Sequence, residues 1–349
     1  VMFDMVRLWG DFPVITTVAD DITSENIDEV YPQYFPKQNT ELEAYQQIEK
    51  DLLDAVLYAP DNTPGNKTLF SKSVARTLLA KIYAEKPLRD YTKVIQYCDE
   101  VKADGFDLVD DFSDLFGMNA AGTDAKMRNT KESILEAQFT SGAGNWCTWM
   151  FGRDLVNWNN NFTWAKWVTP SRDLISAFKQ EGDEVRFKES IVYYDCNWSN
   201  YYPSDNYPFM YKCRSANSSI IKYRYADVLL LKAEALIMQD TPDLEGAADI
   251  IDEVRDRAKL GALPTSVRSN KNVLLNALLK ERRLELAFEG QRWFDLVRLD
   301  KVEEVMNAVY SKDSGRKAQI YTFDKNSYRL PIPQSVIDAN DKIHQNPGY

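Results

Sequence analysis

Carboxylates and guanidinium groups alternate through residues 280–298, which read KERRLELAFEGQRWFDLVR. Carboxylates placed this close together are candidates for general acid and base catalysis. Each acid here has an arginine within one helical turn, however, and a nearby guanidinium favours a permanently ionised carboxylate. We therefore interpret the segment as structural. We expect ion pairs, partly buried against other helices, between Arg282 and Glu285, Glu289 and Arg292, and Asp295 and Arg298.

Aromatic rings suited to carbohydrate binding are concentrated in the tryptophan-rich segment, residues 146–167, which holds five of the eight tryptophans. A sugar ring packs on a flat apolar face, while amides and charged groups bond to its hydroxyls. This segment supplies both kinds of group, and a second aromatic cluster follows at residues 193–211. The predicted ligand-binding residues are Trp146, Trp149, Arg153, Asp154, Trp158, Asn159, Asn160, Trp164, Trp167, Trp198 and Tyr201.

Trp158 and Trp164 flank the asparagine run, and we expect them to form the platform on which a sugar stacks. Two alternatives stay open. The tryptophans can instead fill the core of their own segment, because a large aromatic side chain is as suited to packing as to binding. The tyrosine-rich residues 193–211 can be either a second wall of the site or a packing loop.

Histidine and cysteine usage excludes several kinds of site. The single histidine, His344, is too few for a His-based triad or a multi-histidine metal centre. The four cysteines have no CxxC spacing, which excludes zinc ribbons and thioredoxin motifs, and we expect neither a metal nor another cofactor. Cys98 is expected to be a buried thiol, whereas Cys196 and Cys213 can pair if the compartment is oxidising.

The net charge of −11 argues against a nucleic-acid-binding protein, which normally carries a basic patch. No hydrophobic run approaches the ~20 residues of a membrane span, and there is no signal peptide. The chain opens on VMFDMVRLWGDFP, which reads as the last turns of an apolar helix ending before Pro13. Since a domain seldom starts inside a helix, we expect the natural protein to have a further N-terminal portion.

Helical hairpins must position the aromatic residues. Apolar side chains recur at three- and four-residue steps, which predicts helices at residues 40–58, 71–84, 90–102, 223–238, 244–258 and 270–298, the last broken at Gly290. Such helix pairs are the unit of tetratricopeptide-like repeats, and they bury their apolar faces only by stacking on neighbours. The predicted fold class is mainly α, a scaffold of tetratricopeptide-like helical hairpins with a long loop-rich insertion.

We expect one domain over residues 1–349. Its helical scaffold covers about 40–104 and 220–310, and the variable aromatic-rich insertion covers about 105–219. Within the insertion, SRDLISAF at residues 171–178 predicts a short capped helix. The tail at residues 320–349 is expected to be extended, because the two prolines of YRLPIP prevent a helix.

Three passages resemble the SusD/RagB family of outer-membrane nutrient-binding lipoproteins. ERRLELAFEGQRWFDLVR is similar to the family's most recognisable segment, and IIKYRYADVLLLKAEALI with AADIIDEVRDRA resembles its penultimate repeat hairpin. The tail, YRLPIPQSVIDANDKIHQNPGY, resembles the family's IP…N…QNPGY ending. RLWGDFPVI resembles a helix, with the loop after it, from the first third of the family's sequence. The resemblance spans the chain, although residues 105–219 match only in outline.

The resemblance implies a SusD-like fold in which four tetratricopeptide-like hairpins support a variable half. It also implies a protein of polysaccharide utilisation, held by a lipid anchor on the extracellular face of a Bacteroidetes-type outer membrane. There such proteins cover a SusC-like TonB-dependent transporter and pass oligo- or polysaccharides to it. The lipidated cysteine of the family is not in this sequence, so we expect it in the further N-terminal portion.

Two other functions stay open on the residues. Some family members bind peptides, which relies on shape and main-chain hydrogen bonds, but the tryptophan density favours a glycan. A glycoside hydrolase needs two carboxylates across a cleft, and Asp154, Asp173, Asp183 and Glu184 lie near the aromatic residues in sequence. Because their spacing favours no catalytic pair, we assign no catalytic residue and prefer non-catalytic glycan binding.

Overall fold

The computed structural model describes residues 1–140, 145, 169–195, 202–312 and 322–349. Within these ranges the chain is mainly helical, as its apolar periodicity predicts. The helices are α1 (Met2–Trp9), α2 (Ile27–Val30), α3 (Glu41–Tyr58), α4 (Lys72–Ala84), α5 (Tyr91–Ala103), α6 (Ser113–Phe116), α7 (Arg172–Glu181), α8 (Glu184–Ser190), α9 (Tyr225–Met238), α10 (Leu244–Arg257), α11 (Thr265–Arg268), α12 (Lys271–Glu285), α13 (Arg292–Arg298), α14 (Val302–Lys312) and α15 (Gln334–Ala339). Short 3₁₀ turns occupy Tyr31–Tyr34, Lys86–Leu88 and Lys325–Tyr328.

Two antiparallel strand pairs lie among the described residues. Strand β1 (Ser133–Ala137) pairs with β4 (Ile220–Arg224), and β2 (Ile191–Tyr194) pairs with β3 (Tyr207–Met210). Strand β4 runs directly into α9, so the helix predicted from residue 223 begins two residues later. The reason is tertiary: the backbone of β4 is engaged by β1, which precedes it by a long stretch of chain.

The scaffold helices stack in succession and share one hydrophobic core. Helix α3 packs on α4, α4 on α5, and α9 contacts α5, α10 and α12. Small side chains at the contacts, including the fully buried Ala80 and Ala233, let these backbones approach closely. Residues from both predicted scaffold segments therefore contribute to a single cluster.

Local signals set several helix ends. Thr40 and Glu43 form a capping box at the start of α3, and Asp90 and Ser171 cap α5 and α7 through their side chains. The helix predicted over residues 270–298 ends at Glu285 and resumes only at α13. Phe288 and Gly290 have φ angles of 66° and 74°, so the backbone leaves the right-handed helical region at two positions, a longer break than predicted.

The C-terminal tail closes over the first helix. Asn346 Nδ2 donates to the carbonyls of Trp9 and Leu330, at 2.9 and 2.8 Å. The Gln345 amide bonds to both the N–H and the carbonyl of Ile332, at 2.8 and 2.9 Å. The polar residues of QNPGY thus act as partners for backbone groups that an extended tail leaves without a helix or sheet.

A second hydrophobic cluster lies in the insertion. It joins Leu174 and Phe178 of α7 to the β2–β3 hairpin, and it includes Leu284 and Ala287 from the end of α12 and the turn after it. Through this cluster, the described part of the insertion packs against the segment at residues 280–298. No helix in the described part of the chain is long and apolar enough to cross a membrane.

Candidate functional site

The predicted ligand-binding residues lie outside the residues that the structure describes. They fall in two stretches, 146–168 and 196–201: Trp146, Trp149, Arg153, Asp154, Trp158, Asn159, Asn160, Trp164, Trp167, Trp198 and Tyr201. Their assignment stays a prediction, as does the pairing of Cys196 with Cys213. The contacts of the described residues that flank these stretches show which elements the flanking residues bind.

Asn145, which directly precedes the tryptophan-rich segment, is buried and held by three hydrogen bonds. Its N–H donates to the Ala216 carbonyl at 2.6 Å, and its Nδ2 donates to the Ser218 carbonyl at 3.1 Å and to Cys213 Sγ at 3.2 Å. Displacing a buried amide from such partners is costly, because its polar groups would lose them without gaining water. The start of the segment is therefore fixed against the loop that follows β3.

The other end of the tryptophan-rich segment is fixed to the β2–β3 hairpin. The hydroxyls of Thr169 and Tyr207 share a hydrogen bond of 2.9 Å, and the Tyr202 hydroxyl donates to the Pro170 carbonyl at 2.7 Å. The guanidinium of Arg172 lies 5.2 Å from the centre of the Tyr202 ring. The described residues that flank the segment, Asn145 on one side and Thr169 and Pro170 on the other, thus all bond to residues 202–218.

Three of the described rings in residues 193–211 are packing residues. Tyr202, Tyr207 and Phe209 are buried, with ring centres 5.6 Å apart for the first two and 5.1 Å apart for the last two. Tyr193 and Tyr194 are half-buried, and burial raises the pKa of both hydroxyls. Of the two alternatives for residues 193–211, packing holds for the three buried rings, while Tyr193 and Tyr194 retain exposed ring surface.

The carboxylates of residues 280–298 bind mainly to cations on other elements, and two of the three predicted pairs are wrong. Asp295 does pair with Arg298, at 2.8 Å. Arg282 instead binds Asp227 and Asp295, while Arg292 donates to a backbone carbonyl. Among the further contacts, Glu285 binds Arg186, Arg224 and Arg257, Glu289 binds Lys212 and Arg224, and Glu281 binds Arg186 and Arg255.

These buried acids are held ionised. Burial alone would raise the pKa of Glu285, but Arg257, Arg224 and Arg186 hold that pKa well below its usual range. Burial and arginines likewise oppose one another at Asp295, whose pKa is lowered. A carboxylate in this state does not donate a proton near neutral pH, which supports the structural interpretation of the segment.

The acids considered for hydrolysis do not form a pair in the described part of the chain. Asp173 is bound by Arg283 at 2.6 Å, and Asp183 is bound by Arg186 at 2.6 Å while it also caps α8. Glu184 is exposed, and Asp154 lies outside the described residues. Within the same described ranges, no three His, Cys, Asp or Glu side chains are grouped so that they could hold a metal ion.

A cavity of about 90 Å³ lies on the scaffold, between α1, α3, α13 and the tail. Burial raises the pKa of Glu85 on its wall, where the nearest Arg298 nitrogen is 3.9 Å away. A second wall carboxylate, Glu41, is bound by Arg329 at 2.5 Å. The cavity therefore offers one protonatable acid, and no described residue of the aromatic hairpin lines it.

Residues 206–349 match the model of the SusD family. SusD-like protein P2 of Formosa agariphila is 28% identical over 99% of this chain and 71% of its own length. Among solved structures, a SusD homolog from Bacteroides thetaiotaomicron has a TM-score of 0.75 at 22% identity, covering 100% of this chain and 76% of its own. A structure described as a laminarin-binding SusD-like protein has a TM-score of 0.71 at 24% identity, with coverage of 100% and 76%. Both structures share their fold with this chain.

Proposed function

Because the chain belongs to the SusD/RagB family, we propose that it is a non-catalytic protein of the cell surface that binds an oligo- or polysaccharide. The observation that carries the proposal is that the described residues flanking the tryptophan-rich segment, Asn145 on one side and Thr169 and Pro170 on the other, bond to residues 202–218. In this proposal, the part of the sequence richest in sugar-stacking side chains lies next to a second aromatic element. The fold shared with a laminarin-binding protein supports the same ligand class.

In this proposal, the predicted platform of Trp158 and Trp164 supplies flat apolar faces, and Asn159 and Asn160 supply hydrogen bonds to hydroxyls. The half-buried rings of Tyr193 and Tyr194 supply further apolar surface. The protein retains its ligand without cleaving it. That expectation is supported by Asp173 and Asp183, whose carboxylates are each occupied by an arginine.

The proposed role of the bound glycan is delivery. Family membership supports a lipid-anchored position on the extracellular face of an outer membrane, next to a SusC-like TonB-dependent transporter. Two measurements address this part separately from ligand binding. Protease treatment of intact cells should degrade the protein, and the transporter should co-purify with it from detergent-solubilised membranes. A protein that is protected in intact cells, or that is recovered without a transporter, contradicts this part of the proposal.

The glycan-binding part is tested by affinity electrophoresis in gels that contain one polysaccharide each, with laminarin included, beside a panel of casein peptides. Retention by a polysaccharide is expected, and the double variant Trp158→Ala/Trp164→Ala should abolish it while leaving the melting temperature nearly unchanged. Tyr58→Ala is a matched control, because it removes an aromatic ring that is 83% exposed on the scaffold helix α3.

Three outcomes count against the proposal. Retention that is unaltered in the double variant rejects the platform, and binding of peptides without any glycan favours a peptide-binding member of the family. Release of reducing sugar by the purified protein contradicts a non-catalytic role.

A further inference from the structure

Two arginines and one carboxylate lie together at the first turn of α7. Arg283 of α12 donates to Asp173 at 2.6 Å, and their side chains are 21% and 17% exposed. Arg292, the first residue of α13, donates through Nη1 to the Leu279 carbonyl at 2.9 Å, four residues before Arg283 on α12. We call Asp173, Arg283 and Arg292 the arginine cluster. Its two guanidinium groups and one carboxylate leave one net positive charge.

Arg292 is short of negative neighbours. Burial, and after it repulsion from Arg283, lower the pKa of Arg292 to about 10, while Asp295 and Asp173 oppose the shift. By contrast, carboxylates raise the pKa of Arg282 and Arg298 in the same segment. Among the described residues no carboxylate lies within 4 Å of Arg292, which remains charged at neutral pH.

The remaining donors of Arg292, a half-buried residue, are not completely buried. Its one hydrogen bond to a described residue uses a single N–H, and none of its nitrogens is among the buried polar atoms that lack a partner. A guanidinium carries five N–H groups in a planar fork that matches the oxygens of a carboxylate or a sulfate. An anion can therefore bind to Arg292 without breaking its bond to the Leu279 carbonyl.

The arginine cluster borders the anchored end of the tryptophan-rich segment. Asp173 follows three residues after Pro170, whose carbonyl is held by Tyr202. Leu284, next to Arg283 in sequence, packs in the same hydrophobic cluster as Tyr202. The cluster therefore lies next to described residues that flank the segment, where the proposed site can present a charged substituent of the glycan to it.

We propose that the arginine cluster is a subsite for an anionic group on the glycan, a uronate carboxylate or a sulfate ester, so that the protein prefers an acidic polysaccharide. This inference rests on the proposed glycan-binding function. Arg292 supplies charge-assisted hydrogen bonds to the anionic group, and Arg283 adds long-range attraction. Asp173 moderates the attraction by neutralising part of the charge on Arg283, which keeps binding reversible.

The test compares three ligands in affinity electrophoresis and titration calorimetry: laminarin as the neutral glycan, polygalacturonate as a polyuronate and carrageenan as a sulfated glycan. Wild type is expected to bind one of the two acidic polymers more tightly than laminarin, with an affinity that falls as salt is added. The Arg292→Gln variant should lower the ratio of acidic to neutral affinity about fivefold, as expected for one charge-assisted contact. Arg292→Lys, which keeps the charge but loses the fork, should fall between the two.

Asp173→Asn gives a change of opposite sign, because it removes the competing carboxylate; the acidic-to-neutral ratio should rise about two- to fivefold. Arg89→Gln and Asp300→Asn are controls that change the net charge equally. Arg89 also donates to backbone carbonyls only, those of Ala84 and Arg298, and Asp300 pairs with the partly exposed Lys86. Melting temperatures identify any variant whose fold has changed.

Binding of laminarin without either acidic polymer overturns this inference and leaves the proposed function standing. Equal shifts in the control and cluster variants also overturn it, because they reduce the preference to overall charge. If the protein retains no polysaccharide at all, the proposed function fails and the inference fails with it.

Discussion

Arg224 binds Glu285 at two points: its guanidinium pairs with the carboxylate, and its Nη2 donates to the backbone carbonyl of Glu285 at 2.7 Å. The side chains are 1% and 0% exposed. The carbonyl belongs to the last residue of α12, where the helix stops and leaves its final carbonyls without helical partners. Arg224 is the last residue of β4. Its guanidinium donates to a free carbonyl at the end of α12 and also neutralises the carboxylate of the same residue.

The first prediction concerns the loss of this charge. The Glu285→Gln variant keeps the shape but leaves Arg186, Arg224 and Arg257 short of a carboxylate inside the protein. We expect a loss of roughly 3–5 kcal/mol in the free energy of unfolding, measured with urea, because an uncompensated buried charge is costly.

The control is Arg268→Gln, which breaks a comparable cluster at the surface. Arg268 binds Glu245 and Asp249, whose side chains are 73% and 68% exposed. We expect this variant to lose less than about 1 kcal/mol. Similar losses in the two variants would mean that burial does not decide the contribution of these pairs.

The second prediction is a pH dependence that arises at Lys212. Burial lowers the pKa of Lys212 to about 8, although Glu289, bound at 2.6 Å, opposes the shift. The unfolded chain, with a lysine pKa of about 10.4, binds more protons between these values, so the contribution of Lys212 to stability rises with pH in this window. The difference in unfolding free energy between wild type and Lys212→Met should grow by up to ~1.4 kcal/mol per pH unit from pH 8 to pH 10.

Lys86→Met serves as the control for that titration, because Lys86 is 40% exposed and pairs with Asp300 on the surface. Its unfolding free energy should follow the wild-type pH curve at a constant offset. A constant offset for Lys212→Met as well would contradict the prediction.

The third prediction links the anchors to ligand binding. Tyr202→Phe/Tyr207→Phe removes the hydroxyls that hold Pro170 and Thr169 but keeps the packed rings. Each hydrogen bond contributes about 0.5–1.5 kcal/mol, so we expect the glycan affinity to fall about three- to tenfold as the segment loses its fixed position. Titration calorimetry measures this loss. Tyr328→Phe, whose hydroxyl bonds to Glu303 on the scaffold, should leave the affinity unchanged.

The fourth prediction concerns the tail. Asn346→Ala removes donors to the Trp9 and Leu330 carbonyls, and we expect a cost of about 1 kcal/mol per lost bond. Hydrogen exchange should quicken at the Leu330 amide, which donates to the Leu8 carbonyl. Gln334→Ala is the matched control, because its amide bonds only within helix α15. Equal exchange in the two variants would show that Asn346 does not hold the tail.

The sequence predicted those structural features that are determined by neighbouring residues in the chain. Thr40 and Asp90 mark helix starts correctly, because a cap bonds to the N–H two or three residues ahead. Tyr223 and Arg224 were predicted as the start of a helix, whereas they end strand β4, and the strand that engages them is distant in sequence. Long-range pairing of this kind leaves no local signal.

The ion pairs of residues 280–298 show the same limit. Spacing predicts that Glu289 meets Arg292, but α12 ends at Glu285 and the turn takes Glu289 away from that helical face. Arg282 meets Asp227 because α9 packs against α12, which only the assembled fold determines. The sequence predicted that these charges are structural, whereas the partners of the charged residues could be identified only from the structure.

For the candidate site, the sequence predicted a ligand chemistry and the structure added the anchors. Nothing in the sequence distinguishes Asn145 from the asparagines that follow it, since its role comes from the carbonyls of Ala216 and Ser218. The lack of a carboxylate partner for Arg292 was equally hidden, because spacing gave it Glu289 as a partner. The tryptophan assignments themselves stay a prediction.

The bond between Asn346 and Trp9 has a consequence for the order of events in synthesis. Its two residues are separated by 337 positions, so the carbonyl of Trp9 gains this partner only after nearly the whole chain has left the ribosome. Helix α1 is therefore synthesised long before the tail that closes over it.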